Sequence, residues 1–216
     1  EWPLARTEFT KLHLDAASGA LTPEQPAGES SKSYRADTDH DDPDAAVFEQ
    51  VFAKDTELTG HMKLRLWLEI HEGEDADVFV ALQKMDRDGE LVTFPFLALR
   101  EDGPVALGWL RASHGELDPE RSTPEQPWHP HTSEQPLEPG RPVALEIELW
   151  PSSTIFQAGE RLRLVVQGCD IYAGPESEFG HDVTRNAGRH TIHTGGEYDS
   201  HLLAPVIPNS QGGRPS

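Results

Sequence analysis

Cysteine is almost absent from the sequence, which has Cys169 alone among its 216 residues. One cysteine cannot close an internal disulfide, so a disulfide-stapled scaffold is excluded. Zinc sites that need two or more cysteines are excluded for the same reason. Because Cys169 follows an apolar run, we expect a buried, inert thiol. A lone cysteine leaves the cellular compartment unknown and slightly favours the cytoplasm.

Long hydrophobic runs and helical periodicity are also missing. No stretch of 18 apolar residues occurs, so no membrane span is predicted. No segment of 11 or more residues repeats its apolar positions with a convincing helical period, which argues against α-helices. The chain starts Glu1-Trp2-Pro3, with neither an initiator Met nor a signal peptide, and we expect a piece of a longer protein.

Basic residues are scarce, with 18 Lys and Arg against 38 Asp and Glu and a formal net charge of -20. A field of this sign repels phosphate groups, so nucleic acid is not an expected partner. An anionic membrane surface is not expected for the same reason. The acidity favours solubility and carries no information about the fold.

What the sequence does have is alternation of apolar and polar residues with period two. Segment 63–71 places Leu64, Leu66, Leu68 and Ile70 on one face. Segments 143–149 and 161–166 repeat this pattern. Since side chains of a strand point alternately to opposite faces, each segment predicts a half-buried strand. Shorter runs predict strands at 9–14, 47–52, 78–85, 91–99, 107–113, 189–194 and 202–207.

Turn signals such as Asp88-Gly89, Pro139-Gly140 and Gly195-Gly196 separate these runs. Many short strands with such punctuation indicate an all-β sandwich, and alternation indicates antiparallel sheets with one wet face. We predict a jelly-roll β-sandwich as one domain over 1–208, with a disordered tail at 209–216. Two segments, 16–46 and 114–142, read as long irregular loops, which are commonly functional or packed against another domain.

The motif of a serine hydrolase, Gly-x-Ser-x-Gly, does not occur in the sequence. Gly28-Glu29-Ser30 comes nearest, but Lys32 stands where the second glycine is required. No catalytic residue is therefore assigned, and no cofactor is expected. His190 and His193 are three apart on a predicted strand and would face opposite ways, so they are poor partners for one metal. His129-Pro130-His131 adds two further histidines without a defined geometry.

A calcium site is an alternative at Asp37, Asp39 and Asp41, because calcium prefers hard oxygen ligands. The spacing matches the first three ligand positions of an EF-hand, but Asp42 and Phe48 stand where Gly and Glu are needed. An EF-hand is excluded, and a looser site or a solvated acidic loop stays open. Trp67 lies on the polar face of its strand, where a sugar-stacking residue would lie. A carbohydrate-binding sandwich, with or without calcium, is thus an alternative function.

Several phrases, taken in order, resemble the C-terminal domain of the CocE/NonD hydrolases. This family includes X-prolyl dipeptidyl peptidases and cocaine esterase-like enzymes. The resemblance spans about residues 2–208, and its most telling phrases are Trp2-Pro3-Leu4, Asp55-Thr56-Glu57-Leu58-Thr59-Gly60, Asp75-Ala76-Asp77-Val78-Phe79, Gly108-Trp109-Leu110-Arg111-Ala112-Ser113-His114, Phe156-Gln157-Ala158-Gly159-Glu160 and Leu203-Ala204-Pro205-Val206-Ile207-Pro208.

The resemblance implies a galactose-binding-like jelly roll that follows an α/β-hydrolase domain. In the family the Ser-Asp-His triad lies before this domain, so it maps onto no residue here. The implied function is non-catalytic: the domain would pack on the hydrolase domain of the same polypeptide and shape its cleft. We expect exposed Trp and Phe side chains to form an apolar patch on that face, through which the isolated chain could form homo-oligomers.

Overall fold

The computed structural model describes residues 1–96, 100–172, 181 and 183–208. Strands, turns and loops make up this part of the chain, with one 3-10 turn at Ala112–His114 and no α-helix. The predicted all-β class is confirmed. The tail at 209–216 lies outside the described residues.

The strands are β1 (Glu8–Asp15), β2 (Ala20–Thr22), β3 (Ser30–Arg35), β4 (Ala45–Val51), β5 (Thr56–Ile70), β6 (Asp77–Met85), β7 (Leu91–Val92), β8 (Phe94–Phe96), β9 (Arg100–Gly103), β10 (Ala106–Arg111), β11 (Val143–Phe156), β12 (Arg161–Gln167), β13 (Arg189–Thr194) and β14 (His201–Ile207).

Strand β5 organises one half of the sandwich. Its alternation is realised as predicted: Leu64, Leu66, Leu68 and Ile70 are fully buried, and the residues between them are half-buried. One edge of β5 pairs with β11 along nearly its whole length. The other edge pairs first with β14 and then with β13. This pairing explains why β5 begins at Thr56, before the segment that the periodicity predicted.

Strands β10, β6, β12 and β4 follow one another through antiparallel ladders in the other half. A single parallel bridge between β2 and β4 joins this half to the β1–β14–β5 half. Apolar side chains from both halves meet in one core, including Phe48 of β4, Leu82 of β6, Leu66 of β5 and Ile147 of β11. Two layers around one core make the predicted β-sandwich.

The segment 16–46 is not wholly irregular, and this prediction was wrong in part. It contains the short strands β2 and β3. Strand β3 reads Ser-Ser-Lys-Ser-Tyr-Arg, and only Tyr34 is buried in it. Because β3 ends the strand order and is held by backbone pairing to β13, it needs one apolar anchor rather than an alternating apolar face.

The predicted strand 91–99 is interrupted at Thr93. The part before Thr93 is β7, which pairs with β6, and the part after it is β8, which pairs with β9. Residues 97–99 of that prediction lie outside the described residues. The segment 114–142 is irregular as predicted after its opening 3-10 turn. In the described part of the chain, no helix is long and apolar enough to cross a membrane.

Candidate functional site

Four tryptophans out of five are substantially exposed in this domain. The exposed fractions are 52% for Trp2, 42% for Trp109, 50% for Trp128 and 41% for Trp150. Large exposed aromatic groups that cluster mark interaction surfaces, because tryptophan dominates the energetics of protein interfaces. Three of these four indoles lie at one place on the molecule.

That place is a groove of about 550 Å³, which we call the aromatic groove. The indoles of Trp109 and Trp128 line it, and Trp150 contacts Trp109 with ring centroids 5.5 Å apart. Its other aromatic and polar lining includes Phe79, Asp77, Arg111, Glu148 and the histidines His114, His129, His131 and His181. Neither the histidines at 114 and 181 nor this grouping was predicted.

Strand β10 presents Trp109 to the groove. Leu110 of this strand is buried and Trp109 beside it is exposed, so alternation points the indole outward. Gly108 allows β10 to lie directly against β11. A Cβ at this position would stand 2.2 Å from the carbonyl oxygen of Glu148 and 2.6 Å from Cδ2 of Leu149. Only glycine permits that approach, which brings Trp109 and Trp150 into contact.

The opposite wall comes from the segment 114–142. The backbone N–H of Trp128 donates to Ser122 Oγ at 2.9 Å, and its carbonyl accepts from Asp118 N at 2.8 Å. The guanidinium of Arg121 stacks 5.4 Å from the Trp128 ring. His129 contacts the Glu146 carbonyl of β11 through Nε2 at 2.8 Å. These bonds hold an otherwise irregular loop in a defined shape.

Two histidines touch each other on this wall. Nδ1 of His131 lies 3.3 Å from Nδ1 of His114, and Nε2 of His114 lies 3.6 Å from a carboxylate oxygen of Glu134. Burial, together with the nearby His114 and His129, lowers the pKa of His131. His131 also has a φ of 52°, in the left-handed region that is uncommon for residues other than glycine. The His114–His131 contact therefore helps hold a bend that the backbone would not favour alone.

The floor of the groove is an ion pair. Arg111 donates two hydrogen bonds to Asp77, at 2.8 and 3.0 Å, and this carboxylate raises the pKa of the guanidinium. Asp77 also accepts from the backbone N–H of Arg185 at 2.7 Å. The amide of Asn186 bonds to both backbone groups of Asp77, at 2.7 and 2.9 Å. The start of β6 is thereby tied to the segment that carries residues 183–188.

A second carboxylate, Asp75, anchors the turn below that wall. It is 5% exposed and accepts from the backbone N–H and the hydroxyl of Ser113, at 2.9 and 2.8 Å. Arg185 reaches Asp75 at 3.3 Å and forms a bidentate pair with Glu134 at 2.9 and 3.1 Å. Hydrogen bonds from Arg185 lower the pKa of Glu134. The signal for this network was present in sequence, since Asp75, Asp77 and Arg111 belong to phrases of the resemblance.

Trp67 lies on the outer face of β5, as predicted, but it is half-buried and packed. Its indole N–H donates to Asp199 at 3.1 Å, and its ring meets Tyr198 edge-on at 5.4 Å. Strands β11 and β13 flank it on both sides through Ala144 and His193. The structure thus gives Trp67 a packing role and does not bring it to the aromatic groove.

The three aspartates of the calcium alternative are engaged separately. Asp37 accepts from Arg35 at 2.7 Å, which lowers the pKa of Asp37, and Asp39 accepts from the backbone N–H of Asp41 at 3.1 Å. Asp41 faces His40 at 3.3 Å. Among residues 1–96, 100–172, 181 and 183–208, no three His, Cys, Asp or Glu side chains are grouped so as to hold a metal ion.

His190 and His193 face opposite sides of β13, as the strand geometry predicted. His190 is fully buried beside Tyr34, and burial lowers its pKa to about 4. His193 bonds to Glu69 at 2.8 Å on the other face. His129 and His131 both line the aromatic groove with ring centroids 5.9 Å apart.

No nucleophile with an oriented base is visible in the part of the chain that the structure describes. Ser30 bonds to Thr194 Oγ1 at 2.8 Å, and Cys169 is 8% exposed with a pKa raised by burial. His71 reaches Thr191 Oγ1 at 2.8 Å through Nε2, the same atom that faces Glu69 at 3.7 Å. Such a ring cannot relay a proton as a triad histidine does, because that relay uses both nitrogens.

Comparison with known proteins gives one consistent picture. Over residues 1–203, the chain matches the family described as the X-Pro dipeptidyl-peptidase C-terminal non-catalytic domain. A crystal structure of a CocE/NonD family hydrolase from Staphylococcus aureus matches with a TM-score of 0.91 and 40% identity, covering 96% of this chain and 38% of that one.

More distant structures share the fold alone. An aminopeptidase from a marine sediment Thaumarchaeota archaeon matches with a TM-score of 0.67 and 16% identity, over 96% of this chain and 38% of its own. An alpha-amino acid ester hydrolase matches with a TM-score of 0.62 and 16% identity, over 92% of this chain and 36% of its own.

Two further relatives, one from Mycobacterium bovis and one from Mycobacterium tuberculosis, are named as candidate serine esterases. Each is 30% identical to this chain over 118 residues, which is 53% of this chain. The chain matches only 17% of the length of those relatives and 38% of the Staphylococcus aureus hydrolase. The resemblance to the CocE/NonD hydrolases is confirmed. Since the family match covers nearly the whole chain, the chain belongs to the family of X-Pro dipeptidyl-peptidase C-terminal non-catalytic domains.

Proposed function

We propose that this chain is the non-catalytic β-sandwich domain of a larger CocE/NonD-type serine hydrolase. In this proposal the aromatic groove packs against an α/β-hydrolase domain of the same polypeptide. The clustering of Trp109, Trp128 and Trp150 at one groove carries the proposal. Solvent exposure of three neighbouring indoles is costly for an isolated domain and is relieved when a partner covers them.

The architecture around the groove suits a docking role. Hydrogen bonds of Trp128 and His129 fix the loop wall, and the Asp77–Arg111 pair fixes the floor. A surface that is ordered before binding loses less conformational entropy when it binds. The groove would thus hold the hydrolase domain at a fixed angle and form one wall of the substrate cleft.

The reaction itself would belong to the hydrolase domain. Esters or X-Pro amides are the proposed substrates, cleaved through an acyl-enzyme by a serine that a histidine activates. A fluorophosphonate probe tests this division of labour. The 216-residue chain should keep its mass, whereas the longer polypeptide encoded by the gene should gain one adduct. Stoichiometric labelling of the 216-residue chain would overturn the proposal.

Docking is tested by the accessibility of the indoles. Acrylamide should quench the fluorescence of Trp109, Trp128 and Trp150 strongly in the isolated chain and weakly in the longer polypeptide. Single Trp→Phe variants assign each contribution, and Trp67→Phe serves as the control because Trp67 is already packed. Equal quenching of the three indoles in both proteins would show that the groove is not the docking surface.

Self-association is the other outcome that the isolated chain permits, because two copies could cover each other's grooves. Sedimentation of the wild-type chain and of a Trp109→Ser variant distinguishes this case, since a groove-mediated dimer would dissociate in the variant. The carbohydrate-binding alternative is not favoured, because the family match is to a non-catalytic domain of X-Pro dipeptidyl peptidases and the structural match is to part of a CocE/NonD family hydrolase.

A further inference from the structure

Glu148 stands out among the charged groups of the aromatic groove. It is exposed on β11 and lines the groove. Within the residues that the structure describes, its carboxylate makes no hydrogen bond or ion pair. Glu146, two residues earlier on the same strand, is paired with Lys63 and Arg65. Glu148 therefore presents a negative charge that no described residue of the chain neutralises.

The remaining charges of the groove cancel. Asp77 and Arg111 neutralise each other through their two hydrogen bonds. His131 carries a lowered pKa and stays neutral at neutral pH, so it does not oppose a cation there. Among the Asp, Glu, Lys and Arg side chains of the lining there is one surplus negative charge, that of Glu148, and the whole chain carries a formal net charge of -20. The negative charge of the groove and the negative net charge of the chain both attract a cationic group.

The indoles beside Glu148 add a second attraction for one particular cation. Trp128 already carries the Arg121 guanidinium at 5.4 Å, and Trp67 carries Arg65 at 5.9 Å. A planar guanidinium stacks on indole faces, is weakly hydrated and donates paired hydrogen bonds to a carboxylate. A lysine ammonium lacks the plane and holds its water more tightly. Aromatic walls with one unpaired carboxylate therefore suit arginine better than lysine.

We propose that the aromatic groove binds an arginine side chain of the adjoining hydrolase domain, with Glu148 accepting its hydrogen bonds and Trp109 and Trp128 flanking it. The volume of about 550 Å³ admits the side chain together with part of the segment that carries it. This inference rests on the proposed function, because it names the group that enters the docking surface.

The test uses N-acetyl-arginine methylamide as the probe on the 216-residue chain. NMR of the indole N–H groups reports each of the five tryptophans, assigned by Trp→Phe variants. The probe should shift the Trp109 and Trp128 signals in a saturable way and leave Trp67 and Trp2 unchanged. The citrulline analogue, which has nearly the same shape without the charge, should shift them about threefold less at equal concentration.

Variants assign the effect to Glu148. Glu148→Gln should reduce the arginine response to the citrulline level, while Glu8→Gln, on the exposed face of β1 outside the groove, should leave it unchanged. Equal responses to arginine and citrulline, or an unchanged response in Glu148→Gln, would overturn the inference. Those results would leave the proposed docking intact, because acrylamide protection in the longer polypeptide reports burial of the indoles whatever group enters the groove.

Discussion

Protonation of His190 should dominate the loss of stability in mild acid. The ring lies on β13 with no exposed surface, and its Nδ1 is 3.3 Å from the Tyr34 hydroxyl. Its Nε2 has no hydrogen-bond partner among the described residues. Because burial disfavours the imidazolium, the pKa of His190 falls from its ordinary value of 6.5 to about 4.

The magnitude follows from linkage. Each pKa unit corresponds to about 1.4 kcal/mol, so the shift amounts to about 3 kcal/mol when both states are fully titrated. The folded state binds the proton more weakly than the unfolded state. The stability is therefore complete above pH 6.5 and falls as the pH drops from 6.5 toward 4. The lowered pKa values of His13, His131 and His201 act in the same direction.

Urea unfolding at pH values between about 7.5 and 4.5 measures this loss. His190→Gln retains a polar partner for Tyr34 but cannot be protonated, so its unfolding free energy should depend on pH by about 2 kcal/mol less than that of the wild type. His40→Gln is the control, because His40 is exposed in the acidic loop. The reasoning fails if His190→Gln loses as much stability in acid as the wild-type chain does.

Three further outcomes follow from other positions. Gly108→Val should cost at least about 2 kcal/mol in urea unfolding, since its Cβ meets β11 backbone at 2.2 Å, and a wild-type midpoint would contradict the close packing. Asp75→Ala should cost about 2 kcal/mol, because it leaves the buried Ser113 N–H and hydroxyl without an acceptor; an unchanged melting temperature would refute that account. Cys169 should react with Ellman's reagent far more slowly in the native chain than in denaturant, and equal rates would show that the thiol is accessible.

Sequence patterns predicted the central strands because burial in a sandwich has the same period as the side chains of a strand. The alternation of Leu64, Leu66 and Leu68 reappears directly as buried positions of β5. The same rule missed β3, where Tyr34 alone is buried and backbone pairing to β13 supplies the order. A polar edge strand leaves no alternation to detect, because one of its edges and one of its faces meet water.

The aromatic groove could not be predicted from the period-two pattern of the sequence, for a different reason. Trp109 belongs to β10, Trp128 to a loop, and Glu148 to β11, so their proximity depends on how distant segments cross. Contacts between distant segments hold this arrangement, among them Gly108 against the β11 backbone and the Arg185 bridge between Asp75 and Glu134. The residues of these contacts are visible in the sequence, but no sequence pattern predicts that they lie close together.

Trp67 and Trp109 both point outward from their strands, but only Trp109 is left substantially exposed. Trp67 projects from β5 between two neighbouring strands, and Asp199 satisfies its indole N–H. Trp109 projects from β10, which ends the strand order, and 42% of it is exposed. An edge strand with exposed aromatic groups invites association unless something covers it. Glycine at 108 lets β11 cover part of β10, while Trp109 of this strand stays partly exposed and lines the groove. The position of Trp109 at a sheet edge thus supports the proposal that an adjoining domain covers the aromatic groove.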